Sequence, residues 1–361
     1  MSRFLGISAN WVFFFGKFSQ FFAKTPPNNV KAFIRDIFRS VTKRDRMNIA
    51  IKKTTSTTAA ILLAVFAFST AIFGFSPEDP AVFRPSGSTW FKQSADESGS
   101  FSAVKWGMEG DVPVSADFDG DGIKDTAVWR PSTGVWYILR STDGNVDHFT
   151  WGMTTQHPTG GLADVPAPAD FDGDGRADIA VFRMDTGIWY VLTSTSGYDH
   201  RKAVFFPWGQ FGDVPVEADY DGDGRTDFAV FRPLGNKWFI SLSSTGEAKI
   251  ATFGTSGYDQ LVPADYSGDG RAEIAIFREG EWHTLDLASG SVESTIFGPA
   301  TGTPAPADYD GDGEIDLAVF DRGMWYIFRS TTGELSTLQF GSDGDLPTSG
   351  HKARRSIVAV P

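Results

Sequence analysis

Six copies of one short unit follow one another through residues 79–361, and this repetition constrains the fold more than any other feature. An Ala-Val-Phe-Arg-like string begins at 81, 127, 180, 229, 275 and 318. A Trp followed by an aromatic residue or His begins at 90, 136, 189, 238, 282 and 325, and Trp-Gly or Phe-Gly begins at 106, 151, 208, 253, 297 and 340. Since the three markers keep one order throughout, the region is an array of repeats whose neighbours bury each other's apolar faces.

Each unit contains four short strands. Within 113–152, alternation and turn residues predict strands at 113–116, 126–130, 135–140 and 146–151. Four short strands in about 40–50 residues are the content of one propeller blade. We therefore predict an all-β fold, a β-propeller of six blades with four antiparallel strands each, beside a non-propeller N-terminal targeting segment. Seven blades would require the chain ends to form one more.

The two ends of the array complement each other. The first unit begins at what would be a second strand, 81–85, and has no first strand or loop before it. The segment Asp345-Leu346-Pro347 matches the start of a first strand. We expect it to complete the N-terminal blade and close the ring, whereas 356–361 is predicted as a further strand without an assigned place.

An acidic loop separates the first and second strands of five units. It reads DFDGDGIKD at 117–125, DFDGDGRAD at 170–178, DYDGDGRTD at 219–227, DYSGDGRAE at 265–273 and DYDGDGEID at 308–316. Carboxylates at positions 1, 3, 5 and 9 suit Ca²⁺, which takes six to eight oxygen ligands, and position 7 would add its carbonyl oxygen. Glycines at positions 4 and 6 allow a positive φ, so the chain can wrap an ion. The loop is not an EF-hand, because its position 12 holds Val128 rather than Glu.

These loops, each followed by an Ala-Val-Phe-Arg-like strand, resemble FG-GAP/VCBS-type repeats, the calcium-binding blades of integrin α-type propellers. The resemblance covers about 79–361 and implies up to five Ca²⁺ ions, with the fourth loop weakest because Ser267 and Glu273 depart from the pattern. The implied metal ligands are Asp117, Asp119, Asp121, Ile123, Asp125, Asp170, Asp172, Asp174, Arg176, Asp178, Asp219, Asp221, Asp223, Arg225, Asp227, Asp265, Ser267, Asp269, Arg271, Glu273, Asp308, Asp310, Asp312, Glu314 and Asp316, those at position 7 through their carbonyls.

A cluster of Asp and Gly can also be a plain hairpin turn. Five copies with four carboxylates in each favour the cation, because unneutralised charges would repel one another and open the loop. The ions are expected to stabilise rather than react. Since the chain has no Cys, bound calcium would take the place of the disulfides that staple many exported proteins.

The N-terminal region is expected to lie outside the propeller, which we assign to 76–361. Ten apolar residues at 59–68 follow Lys52 and Lys53 and precede small residues at 69–71. This order predicts a signal peptide within 47–75, with a membrane anchor as the alternative. The extension 1–46 is basic and aromatic, so it is either a membrane-surface helix or untranslated sequence before a start at Met47. We expect a bacterial protein that is exported, either secreted or held at the cell surface or envelope.

Charge argues against one class of partner. Residues 1–53 carry 11 Lys/Arg and 2 Asp/Glu, and the remainder carries 21 and 43. Because nucleic-acid binding needs a basic face, an acidic body of this kind does not fit that role. Contact with a membrane is expected only through the N-terminal segment.

No grouping of residues predicts catalysis. The five histidines do not recur with the repeat, so a non-catalytic binding or adhesion module for a glycan or a surface protein is the first hypothesis. The alternatives are a propeller-type polysaccharide lyase or hydrolase using His200 or a Tyr near the pore, and a structural component of the cell envelope.

Two further features of the repeat region bear on a ligand. The insertions 154–163 and 196–206 depart from the repeat, and the second carries Tyr198, His200, Arg201 and Lys202 as candidate contacts. The recurring arginines either bind an anion or pair with carbonyls or carboxylates of a neighbouring blade; they are Arg84, Arg130, Arg183, Arg232 and Arg278.

Overall fold

The computed structural model describes residues 78–93, 100–153, 164–255, 257, 259–350 and 354–355. In chain order its strands are β1 (Ala81–Arg84), β2 (Thr89–Gln93), β3 (Phe101–Lys105), β4 (Val112–Pro113), β5 (Thr126–Arg130), β6 (Val135–Leu139), β7 (Val146–Thr150), β8 (Val165–Pro166), β9 (Ile179–Arg183), β10 (Ile188–Leu192), β11 (Val204–Pro207), β12 (Val214–Pro215), β13 (Phe228–Arg232), β14 (Lys237–Ser241), β15 (Ala248–Thr252), β16 (Gln260–Leu261), β17 (Ile274–Arg278), β18 (Glu281–Leu285), β19 (Val292–Ile296), β20 (Thr303–Pro304), β21 (Leu317–Asp321), β22 (Met324–Phe328), β23 (Leu335–Gln339), β24 (Leu346–Pro347) and β25 (Arg354–Arg355). Two short 3₁₀ helices span Pro85–Gly87 and His200–Lys202.

The strands form six antiparallel sheets, which confirms the predicted fold of six four-stranded blades. Blade 1 combines β24 with β1–β3, and blades 2 to 6 are β4–β7, β8–β11, β12–β15, β16–β19 and β20–β23. In blade 1, Val82 pairs with Pro347 and Phe83 with Leu346. The C-terminal strand therefore completes the N-terminal blade, as the sequence predicted, and closes the ring.

The innermost strand of blade 2, the unit for which strand bounds were predicted, is shorter than predicted. In blade 2 it spans Val112–Pro113 rather than 113–116. Beyond it the ladder continues only as single contacts, from Val114 N to Ala127 O at 2.9 Å and through the bridge between Ala116 and Asp125. The prediction was too long because the chain already turns into the acidic loop at this point.

Proline in the inner strand of a blade limits whether that strand can pair with a further strand. The second residue of the inner strand is proline in five blades, and proline has no N–H to offer a further strand. These residues are Pro113, Pro166, Pro215, Pro304 and Pro347. In blade 5 the equivalent residue is Leu261, and there β25 adds a fifth strand through the pairs Gln260–Arg355 and Leu261–Arg354. The inner strands surround a central channel of about 780 Å³.

Apolar clusters lie at all six boundaries between blades. At the closing boundary Val82 of blade 1 packs with Ala318, Phe320 and Trp325 of blade 6. On the other side of blade 1, Phe83 and Trp90 pack with Val128 of blade 2. Since each blade buries residues on both faces, no blade can be removed without exposing apolar surface.

The second marker of the repeat is a buried Trp whose indole N–H is satisfied in the same way in every blade. Trp136 Nε1 donates to Trp151 O at 3.0 Å, and Trp325 Nε1 donates to Phe340 O at 2.9 Å. The other four are Trp90, Trp189, Trp238 and Trp282, which donate to the third marker of their own blades at 3.0–3.1 Å. Two of the three markers are thus partners in one hydrogen bond.

The recurring arginines belong to a structural pair within one blade, which corrects the expected partner in a neighbouring blade. Arg183 donates through Nε and Nη2 to both oxygens of Asp164 at 2.9 Å, and the Asp side chain is fully buried. The same Arg–Asp pair recurs as Arg84–Asp345, Arg130–Asp111, Arg232–Asp213 and Arg278–Asp259. In four blades the guanidinium also lies over an aromatic ring, at 4.0–4.6 Å from its centroid.

In blade 6 both residues of the Arg–Asp pair are replaced. Asp321 stands in the place of the Arg, and Gly302 stands in the place of the Asp. A side chain at Gly302 would collide with Val319. The pair is therefore lost as a unit rather than left with one buried charge.

Several predictions fall outside the described residues. They concern the segments 1–46 and 47–75, the insertion at 154–163 and the strand at 356–361. Among the residues that the structure describes, no helix is both long and apolar enough to cross a membrane.

We predict that Arg232→Met destabilises the fold by about 3 kcal/mol, because it leaves the buried Asp213 carboxylate without its guanidinium. Urea unfolding in saturating calcium measures this. The matched control is Arg201→Met, since Arg201 pairs with Asp199 but its side chain is 88% exposed, and it should leave the unfolding midpoint almost unchanged. Equal losses in the two variants would contradict a structural role for the buried pair.

Candidate metal centres

Each acidic loop is closed at its base by a single bridge between strands. In the first loop Asp125 N donates to Ala116 O at 2.8 Å, and the other four loops have the same bridge. Between the two ends the chain reverses through Gly120 and Gly122, which both have φ of +84°. Because this region of φ is costly for residues with a Cβ, glycine at positions 4 and 6 is required by the turn itself.

The carboxylate at position 1 holds the tip of the loop. Asp117 Oδ1 accepts the N–H of Gly120 at 2.6 Å, and Oδ2 accepts the N–H of Gly122 at 2.8 Å. Asp170, Asp219 and Asp308 make the same two bonds. Position 1 is thereby oriented with its two oxygens facing the inside of the loop.

The carboxylate at position 9 ties the loop to the rest of its blade. Asp125 Oδ2 accepts the N–H of Phe118 at 2.8 Å, and Oδ1 accepts the N–H of Ser141 at 2.7 Å, from the turn after the third strand. Its side chain is buried, as are those of Asp178, Asp227, Asp316 and, in the fourth loop, Glu273. A buried acid in every loop cannot be explained as a solvated turn residue.

The carboxylate at position 3 has one oxygen that is buried and has no hydrogen-bond partner among the described residues. In the first loop Asp119 Oδ2 accepts from Thr142 Oγ1 at 2.7 Å, while Oδ1 is the orphan. Asp172, Asp221 and Asp310 also have a buried orphan Oδ1. A buried acceptor without a donor is costly, and its recurrence in four loops indicates that something absent from the polypeptide satisfies it.

Positions 1, 3 and 9 converge. In each of four loops one oxygen from each of these carboxylates lies within 4.8 Å of the other two. In the fourth loop, where position 3 is Ser267, the converging set is Asp265, Asp269 and Glu273. Three carboxylates at this separation, one of them orphaned and one fully buried, fit a hard divalent cation.

Position 5 lies outside the converging set in the four loops that have Asp at position 3. Asp121 Oδ1 accepts the N–H of Ile123 at 2.8 Å, and Oδ2 accepts from Ser141 Oγ at 2.9 Å. These bonds hold the carboxylate against the turn after the third strand, and its role as a ligand stays a prediction. Asp174 and Asp223 likewise accept the N–H of their position 7 residues. The position 7 carbonyls proposed as ligands stay a prediction.

The pKa values of the converging acids show the electrostatic strain of this arrangement. Burial raises the pKa of Asp178 to about 7 and those of Asp125 and Asp227 to about 6, against hydrogen bonds from backbone N–H groups that lower them. At position 1 of the fifth loop, burial raises the pKa of Asp308 to about 6. A cation at the point of convergence would remove this cost, because it stabilises the ionised form.

Neighbouring loops are linked in a way that the sequence did not reveal. The N–H at position 8 of one loop donates to the carbonyl oxygen at position 1 of the preceding loop, as from Ala177 to Asp117 at 2.6 Å. At the closing boundary Glu78 N takes this place and donates to Asp308 O at 2.7 Å. Because these partners lie in different blades, no local pattern could predict the contact.

The side chain at position 7 also crosses to the preceding loop. Arg176 donates through Nε and Nη2 to Phe118 O at 3.1 and 2.9 Å, and its Cγ would lie 2.9 Å from a Cβ placed on Gly120. The signal for this contact was the pairing of Gly at position 4 with Arg at position 7 of the next unit. Sequence reasoning treated position 7 only as a source of a carbonyl oxygen.

The insertion at 196–206 is largely structural. The Tyr198 hydroxyl lies 3.1 Å from Phe118 O and 2.9 Å from Ala177 O, and its ring contacts Phe149 with centroids 4.7 Å apart. Tyr198 thus seals the boundary between blades 2 and 3. His200 is exposed and packs edge-on against Trp151, and Arg201 and Lys202 are also exposed.

Comparison with known proteins agrees with this geometry. The family model of the FG-GAP-like repeat matches residues 117–181 and 219–276, which contain the first four acidic loops. No curated protein matches the sequence.

Similar solved structures include a lectin of Agrocybe aegerita that recognises non-reducing terminal N-acetylglucosamine, with 15% identity over 74% of this chain and 80% of the lectin and a TM-score of 0.47. A functionally unknown protein from Desulfotomaculum acetoxidans has 13% identity over 74% of this chain and 81% of its own, with a TM-score of 0.42. Neither likeness is close enough to bear on a ligand. The matched repeats and the six closed blades that carry them show that this chain is an FG-GAP repeat β-propeller protein.

Proposed function

We propose that this propeller is an exported, calcium-stabilised binding module, in which ions lock the blades together and the rigid ring presents a site for a glycan. One observation carries the calcium part: the buried, orphaned Oδ1 at position 3 of four loops, beside two further carboxylates. Export rests on the signal-like segment within 47–75, and intact mass with N-terminal sequencing of the secreted protein tests it.

Calcium fits the loops better than a catalytic ion. The acids are held by backbone N–H groups and by turns from the same blade, and each site offers three carboxylates, the oxygen ligands that Ca²⁺ prefers. At the roughly 10⁻⁴–10⁻³ M affinities of extracellular modules, millimolar calcium stabilises by about 0.4–1.4 kcal/mol per site. Five such sites amount to about 2–7 kcal/mol, a large share of the stability of an ordinary domain.

We predict five bound Ca²⁺ ions by calorimetric titration, and a fall in the melting temperature when they are removed with a chelator. Asp172→Asn should bind four ions, because it removes the charge of the carboxylate that has the orphaned oxygen in the second loop. Asp343→Asn is the control, since Asp343 is an exposed acid outside the loops, and it should bind five. A wild-type melting temperature that chelator does not change would refute calcium stabilisation.

The raised pKa values give a second prediction, with opposite signs in the two states. Without cation the folded protein holds protons that the unfolded chain has lost, so its stability should fall as the pH rises from about 5 to about 7. With saturating calcium the stability should rise over the same interval, because protons compete with the ion for the carboxylates. Asp178→Asn should flatten the cation-free slope, and melting curves across this pH range measure both trends. Parallel slopes in the two states would argue for plain turns.

A cleft between blades 5 and 6 supports the glycan part of the proposal. It encloses about 170 Å³, room for one sugar ring. Its apolar walls are Tyr266, Trp282 and Phe328, and its polar groups include Thr284, Thr295 and Glu293. Aromatic faces beside hydroxyl and carboxylate groups are suited to the mixed apolar and polar surface of a sugar.

The cleft exists because two apolar residues of the repeat are replaced. Thr284 stands where blades 2, 3, 4 and 6 have Ile138, Val191, Ile240 and Ile327, and where blade 1 has Lys92. Thr295 stands opposite Trp282, where the other blades have Val104, Phe149, Phe206, Ala251 and Leu338. All five residues of β19 are exposed, as are those of β3, whereas in β7, β15 and β23 the second and fourth residues are partly buried. In blade 5 this exposure coincides with the two threonines and with a cleft, and this combination supports a binding site.

We predict that Thr284→Ile with Thr295→Leu, the residues that blade 6 has at these places, abolishes glycan binding without loss of stability. Filling the cleft removes the hydroxyls and buries more apolar surface, so the melting temperature should stay the same or rise. Binding is measured on a glycan array in millimolar calcium. Unchanged glycan binding in the double variant would refute this site. A wild-type protein that binds no glycan on the array would refute it as well.

A further inference from the structure

In the first four loops a side chain from the next blade lies against the glycine at position 4, and in three of them it is an arginine. Arg176 covers the first loop at Gly120, Arg225 the second at Gly173, and Arg271 the third at Gly222. In each of these loops position 3 is an aspartate with a buried orphan oxygen. In these three loops, aspartates at positions 1, 3, 5 and 9 are therefore combined with an arginine side chain from the next blade.

The fourth loop departs from this pairing at two places together. Position 3 is Ser267 instead of Asp, and the covering residue from blade 6 is Glu314 instead of Arg. A Cβ placed on Gly268 would lie 2.7 Å from Glu314 Oε1 and 2.8 Å from its Cδ, so this carboxylate rests directly on the loop. Gly268 is buried beneath it.

The position of Glu314 is fixed by its neighbour in the chain. Ile315 N donates to Asp265 O at 3.0 Å, and Asp265 is the position 1 acid of the fourth loop. The loop is thus contacted by two consecutive residues of blade 6, one through its backbone and one through its side chain. The same backbone bond joins the first and second loops, where the covering residue is Arg176.

The two substitutions compensate each other in charge. Serine at 267 leaves the fourth loop with three acids where the other loops have four, and all three of them, Asp265, Asp269 and Glu273, converge. At position 7 of the next blade, Glu314 places a carboxylate beside Gly268 instead of a guanidinium. A loop with one acid fewer therefore has a neighbouring carboxylate where the first three loops have an arginine.

We propose that Glu314 supplies to the fourth cation site, from the neighbouring blade, the negative charge that Ser267 lacks. This inference rests on the calcium binding proposed above. The affinity of the fourth site for its ion then depends on residues of both blade 5 and blade 6. Binding of this ion therefore strengthens the boundary between these two blades. The weak affinity expected from Ser267 alone is offset by this contribution.

The test is titration of the full chain with Ca²⁺ alone, followed by calorimetry. Glu314→Gln should weaken one of the five sites by about tenfold, the loss typical of groups that act on a metal from outside its immediate ligands. Glu314→Arg should weaken the same site further. Adding Ser267→Asp to Glu314→Arg rebuilds the pattern of the first three loops and should restore the affinity. The control is Glu334→Gln, since Glu334 is an exposed glutamate of the same blade that lies outside the acidic loops, and none of the five sites should weaken in it.

Melting temperatures distinguish an electrostatic role of Glu314 from a role in packing alone. Glu314→Gln should lower the melting temperature in calcium but raise it in chelator, where it removes a charge that repels the three acids of the loop. Five unaltered affinities in Glu314→Gln, or equal losses of stability with and without calcium, would overturn the proposal while leaving the other sites standing. A wild type that binds no calcium would instead overturn the proposed function.

Discussion

Every blade of this ring has two apolar faces, and neither can be left in water. The clusters at the six boundaries meet this constraint only when the ring is closed. Closure in turn places the acidic loops side by side, so that the backbone of each loop bonds to the one before it. The placement of the candidate metal centres relative to one another is therefore a property of the assembled ring, although each set of carboxylates comes from one blade.

The repeat markers were sufficient to predict most of the fold. Six blades, four strands in each, and completion of the first blade by 345–347 all followed from spacing, because a period of 40–50 residues leaves few other architectures. The converging acids at positions 1 and 9 were also foreseen. The inner strands were predicted too long, since alternation at 113–116 does not show where the chain leaves the ladder.

What the sequence did not predict are the contacts between positions far apart in the chain. The aspartate two residues before four of the five inner-strand prolines, such as Asp164, was not singled out, although it is the buried partner of the recurring arginine. Asp121 was grouped with the metal ligands on its spacing and on the family resemblance, and its hydrogen bonds to Ile123 and Ser141 were not foreseen. Spacing shows which residues share a loop, whereas the direction of each side chain depends on donors that the turn after the third strand brings in.

The blade that receives both ends of the array is also the blade without an acidic loop. Its inner strand is joined to β1 by only two residue pairs, with Thr348 N bonding to Ala81 O beyond them. A mechanical load applied between residues 78 and 350 would therefore be borne first by this short seam, while the other five blades stay intact. Under tension the ring would open where β24 pairs with β1. The apolar faces of blades 1 and 6 around Val82 would then be the first to be exposed to solvent.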